Sequence, residues 1–154
     1  MPSDLWTFSL KLYARPGIEQ ACLYLQDQGA DICLLLCACW LGRRGTPFEE
    51  TYLDTLEQLA GPWQESVVGP LRALRQEWRA EAQVDSALAT LRKRVKELEL
   101  DAERELLTRL EQAAQLWPRA TADDLGEWLL NSAPALEKSG HDALDQLRAA
   151  AFAL

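Results

Sequence analysis

The sequence predicts an all-α fold, a compact bundle of six to eight helices with a buried central helix over about 31–42 and one long helix over about 84–117. Three observations carry this. Residues 32–41, Ile-Cys-Leu-Leu-Leu-Cys-Ala-Cys-Trp-Leu, hold no charged side chain, so a helix here is apolar on every face and must be covered all round. Residues 84–117 contain neither Gly nor Pro. Apolar or small residues recur there at 84, 88, 91, 95, 98 and 102 in heptad spacing, then at 106, 110, 113 and 117 after a stutter. Elsewhere the apolar residues recur at helical rather than alternating spacing.

A chain of 154 residues, 48% apolar and with six Trp, is long enough to bury one aromatic-rich core as a single domain. The formal net charge is −8, and residues 1–60 hold four Lys/Arg against eight Asp/Glu, so neither part is a basic module. General binding to nucleic acid or to an anionic membrane is not expected of such a field. The apolar stretch at 32–41 is far short of the ~20 residues of a membrane span, and residues 1–4 lack the positive start of a secretory signal. Cys22, Cys33, Cys37 and Cys39 have no disulfide-framework spacing, which predicts free thiols in a reducing cytoplasm.

Taken in order, Ser3 is expected to cap a first helix from Asp4 to about Ala14, with Leu5, Phe8 and Leu12 on its inner face. Arg15-Pro16-Gly17 breaks it. Ile18, Ala21, Cys22 and Leu25 give a second amphipathic helix that Gly29 closes. Asp31 and Arg43-Arg44 fence the central helix, and Gly42-Arg43-Arg44-Gly45 is a polar turn. Thr46-Pro47-Phe48-Glu49 matches a capping box, so a helix is expected to start at Thr46 and to end at Gly61. The next segment carries Val67, Leu71, Leu74 and Trp78 inward, with a bend or break at Pro70. The long helix then projects, folds back as a hairpin or pairs with a second chain, and a turn fits best at 83–86 with Asp85 as cap. Thr121 is expected to cap a further helix, Asn131 to Pro134 and Ser139-Gly140 to be breaks, and a last amphipathic helix to close the sequence.

Leu5-Trp6-x-Phe8, Leu12-Tyr13, Pro16-Gly17, Ala21-Cys22-Leu23-x-Leu25-Gln26-Asp27, Leu34-Leu35-Leu36 with Trp40-Leu41, and Val67-Val68-x-Pro70-Leu71-Arg72 together resemble a family of small proteobacterial proteins, the domain of unknown function 2390. The resemblance spans roughly residues 4–80, within a compact N-terminal helical unit. It implies a bacterial, cytoplasmic, helical protein and no activity, cofactor or catalytic residue.

Candidate chemistry is sparse. Cys33 and Cys37 share a helical face, but His141 is the single His and no second Cys pair exists, so core packing is the expected role and no metal is predicted. Asp27 with Asp31, and Asp123-Asp124 with Glu127, resemble magnesium-binding acidic motifs but stand where helix ends favour acids. No nucleophile–His set and no Gly-rich phosphate loop is present, so no catalytic residue and no cofactor is assigned.

Arg72, Arg75 and Arg79 fall at i, i+3 and i+7, making one basic face beside Trp63 and Trp78. The leading expectation is a non-enzymatic cytoplasmic binding or regulatory protein that meets a protein partner on this face. Two alternatives stand beside it. One is a small-molecule or metal-binding helical protein, an enzyme included, with a pocket in the N-terminal unit near Trp6, Tyr13, Asp27 and Cys37; the other is an RNA- or ribosome-associated factor using the arginines. The long helix also offers a route to a homo-oligomer.

Overall fold

The computed structural model describes residues 4–154; the expected cap Ser3 lies outside them. Eight α-helices form the fold, with no strand among the described residues: α1 (Asp4–Tyr13), α2 (Ile18–Asp27), α3 (Ile32–Arg43), α4 (Glu50–Trp63), α5 (Gly69–Glu77), α6 (Ser86–Ala113), α7 (Leu125–Ser132) and α8 (Lys138–Phe152). The all-α bundle around a central helix is therefore what the chain adopts. In α3 every residue from Ile32 to Gly42 is buried, because α1, α2, α4, α6, α7 and α8 all pack on it. Asp31 starts this helix by accepting the Leu34 N–H at 3.1 Å.

Helices α4 and α5 are one rod. The expected end at Gly61 is corrected, since the helix runs through Pro62, and the bend or break expected at Pro70 takes the form of a π-turn, Gln64–Val68, that leads into α5 at Gly69. The Gly69 N–H bonds back to the Gln64 carbonyl, five residues earlier. The widened turn accommodates Pro70, whose ring would otherwise press on the carbonyl four residues before it. Residue 69 must be small, since a Cβ there would stand 2.7 Å from the Gln64 oxygen.

The chain then reverses through a 3-10 turn, Glu81–Gln83, and Asp85 caps α6 by accepting the Leu88 N–H at 3.1 Å. The long helix is thus the second arm of a hairpin, packed against α4 and α5, and shorter at both ends than 84–117. Its inward face follows the expected seam at 95, 102, 106 and 110 and departs from it at 84, 91 and 98. Val95, Glu99, Ala102, Leu106 and Leu110 are buried, whereas Val84, Leu91 and Leu98 are 91%, 47% and 54% exposed. A carboxylate has taken the place of a leucine beside the neighbouring helix.

Three other local expectations are overturned by tertiary contacts. Thr46 is not a helix cap: it is buried, its hydroxyl donates to the Pro118 carbonyl at 2.7 Å, and its own carbonyl accepts the Trp128 indole N–H at 2.9 Å. α4 begins at Glu50, with Glu49 in the capping position. Thr121 does not start α7, which begins at Leu125, after Asp124 has accepted the Phe48 N–H at 2.8 Å. Ser139-Gly140 lies inside α8 instead of breaking it; Gly140 is buried, and a Cβ there would stand 2.9 Å from that of Leu136.

Candidate functional site

The hairpin brings the sequence-predicted arginines to an acid that the sequence did not single out. On α5, residues 72 and 75 are one turn apart and point at α6. The Arg72 Nε lies 3.1 Å from Oε2 of Glu99, and the Arg75 Nε lies 2.6 Å from Oε1. Glu99 is only 5% exposed, so its charge is held inside the hairpin by two guanidinia. Arg92 adds a third tie by donating to the Arg75 carbonyl at 2.8 Å.

The network reaches beyond the hairpin. Gln26 of α2, with its amide oxygen turned toward Arg72, faces that guanidinium, and Gln64 of the π-turn donates to Asp31 at 3.0 Å. Burial raises the Asp31 carboxyl, against hydrogen bonds from Leu34 and Gln64 that lower it. Next to this set, desolvation and then the negative charge of Glu99 push Glu103 up to about 7, while Arg72 and Arg75 pull it down. The Glu99 hydrogen bond holds Arg75 above its ordinary value. Charged side chains from α5, α6 and the cap of α3, with amides from α2 and the π-turn, therefore form one cross-brace.

The expected partner-binding set is divided by this geometry. Arg72 and Arg75 are turned inward. Trp63 is also engaged, donating its indole N–H to the Ala102 carbonyl at 2.9 Å with the Arg109 guanidinium 4.0 Å over its ring. Arg79, exposed, and Trp78, half-buried, remain at the hairpin tip. Of the expected pocket residues, two lie on one helix and two differ in burial. Tyr13 and Trp6 lie on α1, with Arg104 of α6 stacked 4.6 Å over the Trp6 ring. Cys37 is sealed in the core and Asp27 is exposed.

Burial raises the Tyr13 hydroxyl, and it raises Cys22, the hydrogen-bonded neighbour of Tyr13, to about 11. The thiols of Cys33, Cys37 and Cys39 are pushed up by desolvation as well, which holds them protonated and inert as nucleophiles. Among the described residues no group of three His, Cys, Asp or Glu side chains is placed to hold a metal ion, and no helix is long and apolar enough to cross a membrane.

Two features escaped the sequence. Glu99 stands in sequence among Glu97, Asp101, Glu103 and Glu105, and the only local hint of its role is its register, one residue past Leu98 on the inward side. The second is a cleft of about 530 Å³ walled by Lys11, Arg15, Arg43, Arg44 and Arg119, residues that read separately as helix ends and a turn. Comparison with known proteins found no match among curated proteins and none among solved structures. The family model described as "Protein of unknown function (DUF2390)" matches residues 4–110, beyond the 4–80 of the resemblance, and the chain belongs to that family.

Proposed function

We propose that the protein is a non-enzymatic cytoplasmic binding or regulatory protein, and that it takes a protein partner on the outer face of the α5–α6 hairpin. The observation that carries this reading is the pair Leu91 and Leu98, seven residues apart on α6 and left in solvent on a hairpin whose inner face is braced by Glu99, with the exposed Val84 at the turn before it. Seven-residue spacing is the register in which one helix receives the knobs of another. The surface thus suits an amphipathic helix, with Arg79 and Trp78 at its end. Four free, buried thiols support a reducing compartment. The RNA-binding alternative is the weaker, since two of its three arginines are spent on Glu99.

A photo-crosslinking residue placed at Leu91 in living cells is expected to capture one discrete protein. Capture should vanish with Leu98→Ser and Arg79→Ala while the helical circular-dichroism signal is kept. Unchanged capture in that double variant, or none at all in the parent, removes the assignment. A captured second copy of the same chain would make the face a homodimer interface instead. Alanine at Arg72 or Arg75 is not used, because it leaves Glu99 buried with half its compensation and tests the brace, not the surface.

A further inference from the structure

The basic cleft at the end of α1 and α3 is a different surface from the outer face of the hairpin, and its construction starts from Gly45. This residue has φ 76, and a Cβ on it would run into the carbonyl of Ala120. With that contact made, the Ala122 N–H donates to the Gly45 carbonyl at 3.1 Å, and Thr46 holds Pro118. The segment between α6 and α7 is thereby pinned over the turn after α3, which sets Arg119 beside Arg44. From the other side α1 contributes Lys11 and Arg15.

The charges gathered there are poorly compensated. None of the five cations takes part in an ion pair among the described residues. Arg15 donates to the Ala153 carbonyl at 3.2 Å and Arg43 to an oxygen of Leu154 at 3.0 Å. Arg44 lies flat on Trp40, 4.1 Å above the ring, and its buried Nε has no hydrogen-bond partner. Burial and then the positive charge of Arg119 lower its affinity for its proton, with Asp4 and Glu111 acting the other way. Asp4, which also lines the cleft, accepts the Trp40 indole N–H at 2.9 Å, and Glu111 accepts the Asp4 N–H at 3.2 Å; both keep their negative charge, yet neither forms an ion pair with the five cations. In a chain of net charge −8, five cations face the single carboxylate of Asp4 around one concavity, an excess of positive charge that a further anion would relieve.

We propose that this cleft binds a small phosphorylated metabolite, with its phosphoryl group held between Arg44 and Arg119 and its organic body against the half-buried Phe8. The volume is that of a small-molecule site, of the order of 300–1,000 Å³. Guanidinium forks match phosphoryl oxygens in pairs, and a phosphoryl group carries about two negative charges near neutral pH, which suits several cations better than a single carboxylate does.

The test is isothermal titration of the whole chain with sodium pyrophosphate at constant ionic strength, beside citrate and a short single-stranded RNA. Pyrophosphate is expected to bind one-to-one with a dissociation constant below about 1 mM. Arg119→Gln and Arg44→Gln should each weaken it by about tenfold or more, and the remote, exposed Lys138→Gln should leave it unchanged. Absence of saturable binding overturns the proposal, as does equal weakening by Lys138→Gln. Citrate binding as tightly as pyrophosphate rejects phosphoryl recognition, and tighter RNA binding through the same arginines replaces the metabolite with a nucleic acid. If loss of the Trp40 stack prevents Arg44→Gln from folding, the exposed Arg119 decides the matter alone.

Discussion

Glu103 stands where burial and neighbouring charge disagree. Desolvation raises its carboxyl to about 7, the charges of Glu99 and Asp31 push the same way, and Arg72 and Arg75 oppose them. Its unfolded value is that of an ordinary glutamate, about 4.3. Between these two values the folded state binds more protons than the unfolded state, so stability falls as pH rises through that window. Above about pH 7 the charged carboxylate is a full cost; below about 4.3 the difference vanishes. Glu103→Gln keeps the shape and removes the titration. In urea unfolding it is expected to raise stability at pH 8 by about 1–2 kcal/mol, discounted for the solvent that still reaches this half-buried group, and to change little near pH 4.5. Asp31, raised by its own burial, has the same sign and stays in both proteins, so the difference between them reports Glu103 together with its coupling to Asp31. An equal effect at the two pH values would falsify the assignment and leave simple repacking.

The π-turn joining α4 to α5 aims the second half of the rod. It exists because Pro70 cannot follow a regular turn without a clash, and Gly69 lets the widened turn close on Gln64. Gly69→Ala puts a methyl 2.7 Å from the Gln64 carbonyl oxygen, with backbone on both sides of the contact. A cost of about 1–3 kcal/mol is expected from this overpacking, in spite of alanine's better helix propensity. Chemical denaturation measures it, and a neutral or stabilising result would mean that the turn is free to become α-helical. The π-turn itself was not legible in the sequence, where Gly69-Pro70 reads as a bend or a break; α6 packs along both halves of the rod. Other elements were readable for equally local reasons. Residues 32–41 admit no exposed face, and Asp85 followed by a Gly-free, Pro-free run marks where the hairpin turns. Thr46 misled because its hydroxyl, suited to a cap, has a tertiary partner in Pro118. Glu99 was hidden because its arginines lie 24 and 27 residues away on another helix, and charge at that distance in sequence looks solvated.

For the whole molecule, the extent of the family match and the extent of the core differ. The match ends at residue 110, yet α7 and α8 lie beyond it and cover the central helix. A Cβ on Gly42 of α3 would come within 2.6 Å of the Leu125 Cα, so α3 and α7 pack at nearly backbone distance. Trp128 is fully buried with its indole N–H on Thr46, and α8 lies along α2 and touches α3. Burying Leu125, Trp128, Leu129, Leu144 and Leu147 contributes about 10 kcal/mol at roughly 2 kcal/mol for each large apolar side chain. That equals the net stability of a typical domain, about 5–15 kcal/mol. The same contacts carry the basic cleft, since Arg119 reaches Arg44 only while the 114–124 segment is anchored at both ends, which is why no reading of separate stretches could assemble it. A chain stopped after Trp117 retains the whole matched region and is expected to keep much of its helical circular-dichroism signal. It should lose the cooperative urea transition and bind a hydrophobic dye, because one side of an all-apolar helix is then in water. A sharp transition with the midpoint of the full chain would instead make residues 4–117 the folding unit and α7 and α8 an addition to it.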